Sequence, residues 1–389
     1  MTHRSSFQSR NFTLNYYQRL VLGGGWLGSI SAEVQSWRHT ISAFGGFDTA
    51  EFSLVDTSTV LDDWVANGLG RGIIVYDETL VPIWEGFVNS ITVQKGGLTV
   101  THGPVLGIAN KVKAIYSGVD TSVYPPVIGV RKQTAYVSDT ESQEKWGIWP
   151  EIVSLAGVTN ANADQLVDMY LNEHHYPDKN SQFSFATGDS SINVSCLGWV
   201  HTLHHPYNYT ALSGTIDIST RIQEIITAQL NPWISTDYSR ITTNTTPTPR
   251  YVNDDRLALE TIRGLTAMGD SSNNRYFFGI YENRQAIYEP VSSRIDYQIA
   301  LTDPKQIIVD SNKAIVAPWR IRPGRWVFFN DFMSGLGQPD VAYHEDPRML
   351  QIESVQFDMR VPFEVQLEGG KNSKYEQKSA KLGLRGTAV

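Results

Sequence analysis

The sequence predicts a mainly β protein carrying mixed α+β insertions, and three observations lead there. Short apolar and polar alternations recur, as from Phe47 to Val55, where Ala50, Phe52 and Leu54 share one face and Thr49, Glu51 and Ser53 the other. Aromatic residues form 11% of the 389 residues, with ten Trp and eighteen Tyr, a composition rich in strand formers and far from the disordered class. Finally, one strand pair is written twice. GRGIIVYD from Gly70 to Asp77 returns as GRWVFFND from Gly324 to Asp331, and QIESV from Gln351 to Val355 stands where IWEGF from Ile83 to Phe87 stood. This alignment makes Glu85 and Glu353 equivalent. The copies lie too far apart for a solenoid period, so the pattern predicts one β-fold used twice.

Taken in order, residues 1–13 are polar and read as an arm. Tyr16 to Leu22 alternates into a strand that meets a turn or bulge at Gly23, Gly24 and Gly25. Ile30 to Ser42 reads as one or two strands bent near Trp37, followed by the strand to Val55. A short helix follows, with Thr59 and Asp62 as a capping pair and Gly68 as a left-handed stop. The first copy of the strand pair comes next: Gly72 to Tyr76, a turn over Asp77 to Thr79, and Val81 to Ile91. In its second strand Trp84, Gly86 and Val88 share one face, and Ile83, Glu85, Phe87 and Asn89 the other. Leu98 to His102 completes a small barrel or sandwich with one packed helix.

Beyond it, Ile108 to Ser117 reads as a continuation of the sheet, and Pro125 and Pro126 make their segment a loop or edge. Trp146 to Leu155 and Ala163 to His174 read as helices, the second with Leu166, Met169, Tyr170 and His174 down one side. Phe183 to Val200 returns to strand alternation. Thr220 to Leu230 is an amphipathic helix with Ile222, Ile225 and Ile226 inward, and Thr242 to Thr248 is a loop. Asp254 to Met268 reads as a helix capped by Asp254 or Asp255 and stopped by Gly269. Tyr276 to Tyr281 and Gln285 to Glu289 form a hairpin over Glu282, Asn283 and Arg284. Pro318 to Pro323 then leads into the second copy. The expected division is an arm over 1–13, a β-domain over 14–105, an inserted α+β domain over 106–215, an α+β segment over 216–300, a second β-domain over 301–368 and an arm over 369–389.

Composition excludes several functions. A formal charge of −8 argues against a general phosphate-binding surface. Cys196 is the only cysteine, so the chain holds no internal disulfide and no cysteine-based zinc site. The N-terminal MTHRSSFQSRNFTLNYY lacks a signal core, and no run approaches a transmembrane span. The expectation is synthesis in the cytoplasm without stable membrane insertion. The sequons at Asn208 and Asn244 then carry no meaning.

The usual enzymatic patterns are missing: no HExxH, P-loop, Rossmann glycines or GxSxG. His174 and His175 sit at the end of a predicted helix, and His201, His204 and His205 cluster in a loop; His201 and His204, three apart, could share one face of a helical turn as metal ligands, but Pro206 follows at once and no acidic residue lies within the cluster. A surface or subunit-contact role fits them better. The pairs Asp62 with Asp63 and Asp254 with Asp255 read as helix starts. No catalytic, cofactor-binding or metal-binding residue is assigned and no cofactor is expected. The positions singled out as repeated structural or interface positions are Arg71, Trp84, Glu85, Arg325, Trp326 and Glu353.

GGFDTAEFSLV, the short helix and GLGRGIIVYDETLVPIWEGFVNSI together resemble the start of phage tail hub proteins, the baseplate or tail-tip hubs. FFGIYENRQAIYEP, PWRIRPGRWVFF and EDPRMLQIESVQF resemble their second half, so the likeness covers most of the chain. It implies a homotrimer in which each chain carries two tail-tube-like β-domains, giving six similar units that adapt a hexameric tail tube to a threefold tip. The implied partners are the tail tube or distal tail protein above, and a spike, central fibre or other baseplate proteins below. DNA would pass the lumen without specific binding, and the protein would reside in the virion at the tail tip. Two other readings stand beside it: a receptor- or carbohydrate-binding tail protein with aromatics as a stacking platform, and a cell-wall glycan-cleaving enzyme with paired carboxylates.

Overall fold

The computed structural model describes residues 12–19, 25–55, 58–120, 124–125, 127–184, 190–207, 216–248, 257–272, 274–291, 295–300, 307–330, 349–358, 364–369 and 381–385. Residues 1–11 of the predicted arm, most of the Gly23 to Gly25 turn, the caps Asp254 and Asp255, the sequon at Asn208 and most of the arm over 369–389 lie outside them, whereas Phe12 is buried in the core and Thr13 begins a strand, so the expected arm over 1–13 is too long.

Strands β1 (Thr13–Arg19) and β2 (Trp26–Ser29) pair antiparallel. β3 (Val34–Ser42) and β4 (Phe44–Leu54) form a hairpin, with bulges in β3 after Val34 and after His39. Helix α1 (Ser58–Asn67) leads into β5 (Arg71–Tyr76), β6 (Pro82–Lys95) and β7 (Leu98–His102). The left-handed residue after α1 is Gly70 (φ 77°), two positions beyond the predicted stop. At Gly68 the constraint is space instead: a Cβ there would stand 2.5 Å from the Trp64 carbonyl oxygen.

A second, smaller sheet follows: β8 (Lys111–Asp120), β9 (Val127–Gln133), β10 (Val137–Ser138), α2 (Thr140–Trp146), β11 (Pro150–Ala156) and α3 (Asn160–His174). β8 lies at its centre, paired with β9, β10 and, in parallel, β11. Ile108 to Ser117 therefore opens a new sheet instead of extending the first. The helix predicted over Trp146 to Leu155 is corrected to a helix end and a strand. Gly147 at φ 81° stops α2, and Val153 and Leu155 alternate toward α3 from β11. The helical period of α3 is as read, but its buried face is Ala163, Val167 and Leu171, while Leu166 and Met169 are exposed. These smaller side chains fit closely over Val112, Ala114 and Tyr116 of the sheet.

The chain then returns to the first sheet with β12 (Lys179–Phe183), which pairs with β7, and β13 (Ser191–Gly198), which lies between β4 and β6. Residues 191–198, read from sequence as part of the insertion, are thus a central strand of the main sheet. Helices α4 (Ile218–Thr227) and α5 (Ala258–Met268) bury Ile222, Ile225, Ile226, Leu259, Ile262 and Leu265 as their spacing requires. β14 (Tyr276–Ile280) and β15 (Ala286–Pro290) form the predicted hairpin, followed by β16 (Ile295–Ala300), β17 (Ile307–Asp310), β18 (Trp326–Asn330), β19 (Met349–Asp358), β20 (Glu364–Gly369) and β21 (Lys381–Arg385).

Antiparallel pairings run continuously through β2, β1, β5, β6, β13, β4, β3, β19, β20 and β21, so strands from the two ends of the chain share one sheet. The fold is mainly β. Its main core extends from Phe12 to Phe357, with Trp37 stacked on Phe52 at 5.7 Å and edge-on to Trp84 at 5.5 Å. Such aromatic pairs each add about 0.5–1.5 kcal/mol beyond their area burial. Among the described residues no helix is long and apolar enough to cross a membrane.

Candidate functional site

The two strand pairs begin alike. Gly70 and Gly324 are both left-handed, at φ 77° and 80°, and each turns the chain so that the following arginine lies over an aromatic ring and meets a carboxylate. Arg71 forms a bidentate pair with Asp63 from α1, at 2.8 and 3.0 Å, and sits 5.0 Å over Tyr16 and 5.3 Å over Trp64. Arg71 holds the Asp63 carboxyl below its ordinary range. Arg325 meets Glu289 of β15 at 2.5 Å and lies 5.7 Å over Phe277.

The glutamates are not brought to equivalent places. In β5–β6, Gly72 faces Phe87; in β18–β19, Trp326, which aligns with Gly72, faces Gln351. Glu353 is therefore level with Asn89, four residues from the position of Glu85. Their surroundings differ as well. Glu353 is exposed, and its backbone carbonyl accepts from Ala43 N–H at 2.7 Å. Trp84 is fully buried in the core, whereas Trp326 is half-buried and its N–H donates to Asp296 at 2.9 Å.

Glu85 is buried, at 4% exposure, and faces a residue that sequence reading passed over as part of a turn. Arg284 approaches it with Nε 3.5 Å from Oε1, and its guanidinium lies 3.8 Å over the ring of Trp199. The backbone N–H groups of Asn283 and Arg284 also donate to the Glu85 carboxylate. Burial pushes this carboxyl up to about 7 against the opposing pull of Arg284 and those donors. Burial likewise lowers Arg284 to about 10, with Glu85 acting in the other direction. Asn283 and Arg284 are both left-handed, at φ 60° and 57°, a conformation that costs a non-glycine residue roughly 1–2 kcal/mol. Over this pair opens a groove of 370 Å³ bounded by Tyr17, Gly72, Ile73, Ile74, Trp199 and Ser235. In the sequence Arg284 stands only as part of the turn over Glu282, Asn283 and Arg284; its partner lies about two hundred residues away.

The histidines resolve into separate contacts. His201 Nε2 lies 2.7 Å from Asp48, an acidic partner supplied from distant sequence, and His201 stacks with His204 at 5.4 Å. His205 is buried instead of surface-lying, its Nδ1 3.1 Å from the Pro150 carbonyl. Among the described residues no group of three His, Cys, Asp or Glu could hold a metal ion. Of the ten tryptophans Trp26 is exposed, at 64%, and the others are buried or half-buried, while Tyr124 and Phe183 are exposed as well.

The tip of the first hairpin is clamped to the second half of the chain. Asp77 accepts from Arg320 Nε at 2.6 Å and Trp319 Nε1 at 3.4 Å, and Arg322 Nη2 donates to the Pro82 carbonyl at 3.3 Å.

No protein-family model matches the chain, and no curated protein matches it. Two solved structures align over most of its length. One is the tail protein from Neisseria meningitidis MC58, at 7% identity and a TM-score of 0.39, covering 90% of this chain and 92% of that one. The other is the prophage MuSo2 43 kDa tail protein from Shewanella oneidensis, at 8% identity and a TM-score of 0.36, covering 89% and 94%. Neither likeness is close enough to carry a function across.

Proposed function

We propose that this chain is a structural component of a phage tail, a trimeric hub that joins a hexameric tube to a threefold tip and leaves a channel for DNA. The supporting observation is the repeated strand pair, in which Gly70–Arg71 and Gly324–Arg325 share backbone conformation, ring contact and acidic partner. Two similar units per chain in a closed trimer give six around a ring, which is what a sixfold tube above would require. Closed rings use heterologous contacts, so each chain presents two different surfaces to its neighbours. Strand β12, exposed along its length, pairs with β7 at the border of the main sheet, a position suited to such a contact. A net charge of −8 suits a lumen through which DNA slides without counterion-driven adhesion. In this role the chain needs no catalytic group, and the tail tube, spike or baseplate proteins are its partners.

Light scattering with negative-stain imaging tests the proposal. The expected result is a particle of about three times 43.5 kDa with an open centre and pseudo-sixfold outline. A monomer that stays monomeric across the accessible concentration range, and when mixed with its tail tube protein, refutes it.

A further inference from the structure

We propose that the groove over Trp199 binds a carboxylate, gripped by the edge of the Arg284 guanidinium with the Glu85 carboxyl beside it. This rests on the groove alone and is independent of the assembly proposed above.

The turn at 282–284 sets a cation beside the Glu85 carboxylate and leaves one atom of each without a partner. The Nε to Oε1 separation of 3.5 Å is longer than the roughly 2.7–2.9 Å of a charge-assisted hydrogen bond. Arg284 Nη1 and Glu85 Oε2 are buried and carry no hydrogen bond. Leaving such atoms unpaired is costly, and the cost adds to the strain of two left-handed residues. A third group lying between them would remove that cost. The guanidinium edge is shaped for a carboxylate, offering parallel N–H donors to two oxygens. Tyr17, Ile73, Ile74 and Trp199 supply apolar walls that strengthen such a pair by excluding water. Ser235 N–H donates to the Arg284 carbonyl at 3.0 Å, which fixes the turn from behind.

Proton linkage follows from Glu85. Ionised, it competes for Arg284 and repels an incoming carboxylate; neutral, it frees Arg284 and donates an O–H to the ligand. The groups facing it are Arg284 and Glu282 on the turn, of opposite effect, and Tyr76 on β5, whose phenol burial first of all pushes up and keeps neutral. With the Glu85 carboxyl pushed up to about 7, binding should weaken about tenfold between pH 6 and pH 8.

The test is ligand-observed NMR with the full chain at pH 6, 7 and 8. N-acetylglycine serves as a chain-terminus carboxylate, N-acetylaspartate α-amide as an acidic side chain, and N-acetylglycinamide as the neutral control. Binding of either acid and not of the control, about tenfold weaker at pH 8, supports the proposal, and the tighter acid names the source. Glu85→Gln should bind equally at all three pH values. Gly72→Ala places a methyl group at ordinary contact distances from Tyr17, Arg284 and Trp199 (3.5, 3.7 and 3.9 Å), so it folds yet covers the guanidinium edge and should weaken binding several-fold. Equal binding of acid and control, tighter binding at pH 8, or wild-type binding by a folded Gly72→Ala would each overturn it.

Discussion

Replacing Asp77 with asparagine should loosen the clamp between the first hairpin and the second half of the chain. One carboxylate oxygen of Asp77 caps the turn, accepting from Thr79 N–H and hydroxyl at 2.9 Å and from Val81 N–H at 3.2 Å. The other accepts from Arg320 and Trp319. An asparagine keeps the turn cap but sets an amide N–H₂ against those two donors. Hydrogen bonds to a charged group contribute about 1.5–3 kcal/mol, and because the Arg320 side chain is 36% exposed, solvent screening selects the lower half of that range. A loss of about 2 kcal/mol is expected. Burial by itself would raise the Asp77 carboxyl, but Arg320, Thr79 and the turn N–H groups outweigh it and hold it below the usual range. A depressed folded-state value gives stability that is present above the unfolded carboxylate pKa and lost as pH falls through the folded one. The gap between wild type and Asp77→Asn should therefore be full at pH 7 and shrink as pH falls below about 4. Urea unfolding followed by tryptophan fluorescence reads both. A variant midpoint equal to wild type at pH 7, or a gap unchanged on acidification, refutes the reasoning.

The two arginines of the repeat should differ in cost. Arg71 is 7% exposed, so Arg71→Ala should lose about 2 kcal/mol, against about 1 kcal/mol or less for Arg325→Ala, whose ion pair is about a third open to water. Melting temperatures check the order, and a larger loss at Arg325 would contradict it. Two glycine substitutions separate space from backbone strain. Gly46 (φ 81°) would place a Cβ 2.3 Å from the Ile280 carbonyl oxygen, so Gly46→Ala should open the β4–β14 joint and abolish soluble folding. Gly96 (φ 55°) has nothing within 4 Å, so Gly96→Ala should cost only about 1 kcal/mol. Comparing soluble yield and melting temperature of the two decides it.

What was legible in the sequence is what is locally determined. The alternation of Ala50, Phe52 and Leu54, the buried isoleucines of α4 and the hairpin over Glu282 to Arg284 all follow from periods or turn residues within about ten positions. Misreadings occurred where a neighbour in space decides. Trp146 to Leu155 is apolar enough for a helix, but β8 offers a free edge and the segment from Pro150 pairs with it in parallel. The buried face of α3 is set by what fits over Tyr116 and Val112, and Met169 is left outside. Arg284 beside Glu85, Arg320 beside Asp77 and Asp48 beside His201 join residues that no local pattern connects.

The repeat itself shows where such reading stops. The first strand of each copy is anchored by a left-handed glycine, and the arginine that follows takes the same kind of partners in both. The second strand is anchored only through the connection, because turn length fixes hairpin register. β5 and β6 are joined by the tight turn at Asp77 to Val81, whereas residues 331–348 separate β18 from β19. The second strand has slid by four residues, an even number, so the face on which each side chain lies is kept while its level changes. The level decides the chemistry. At the level of Glu85 the chain supplies Arg284 and a groove; four residues along, Glu353 is exposed at the solvent side of β19, beside a strand pairing with β3. A glutamate repeated in sequence is thus two different residues in space, and the duplication is to be argued from Gly70–Arg71 and Gly324–Arg325 alone.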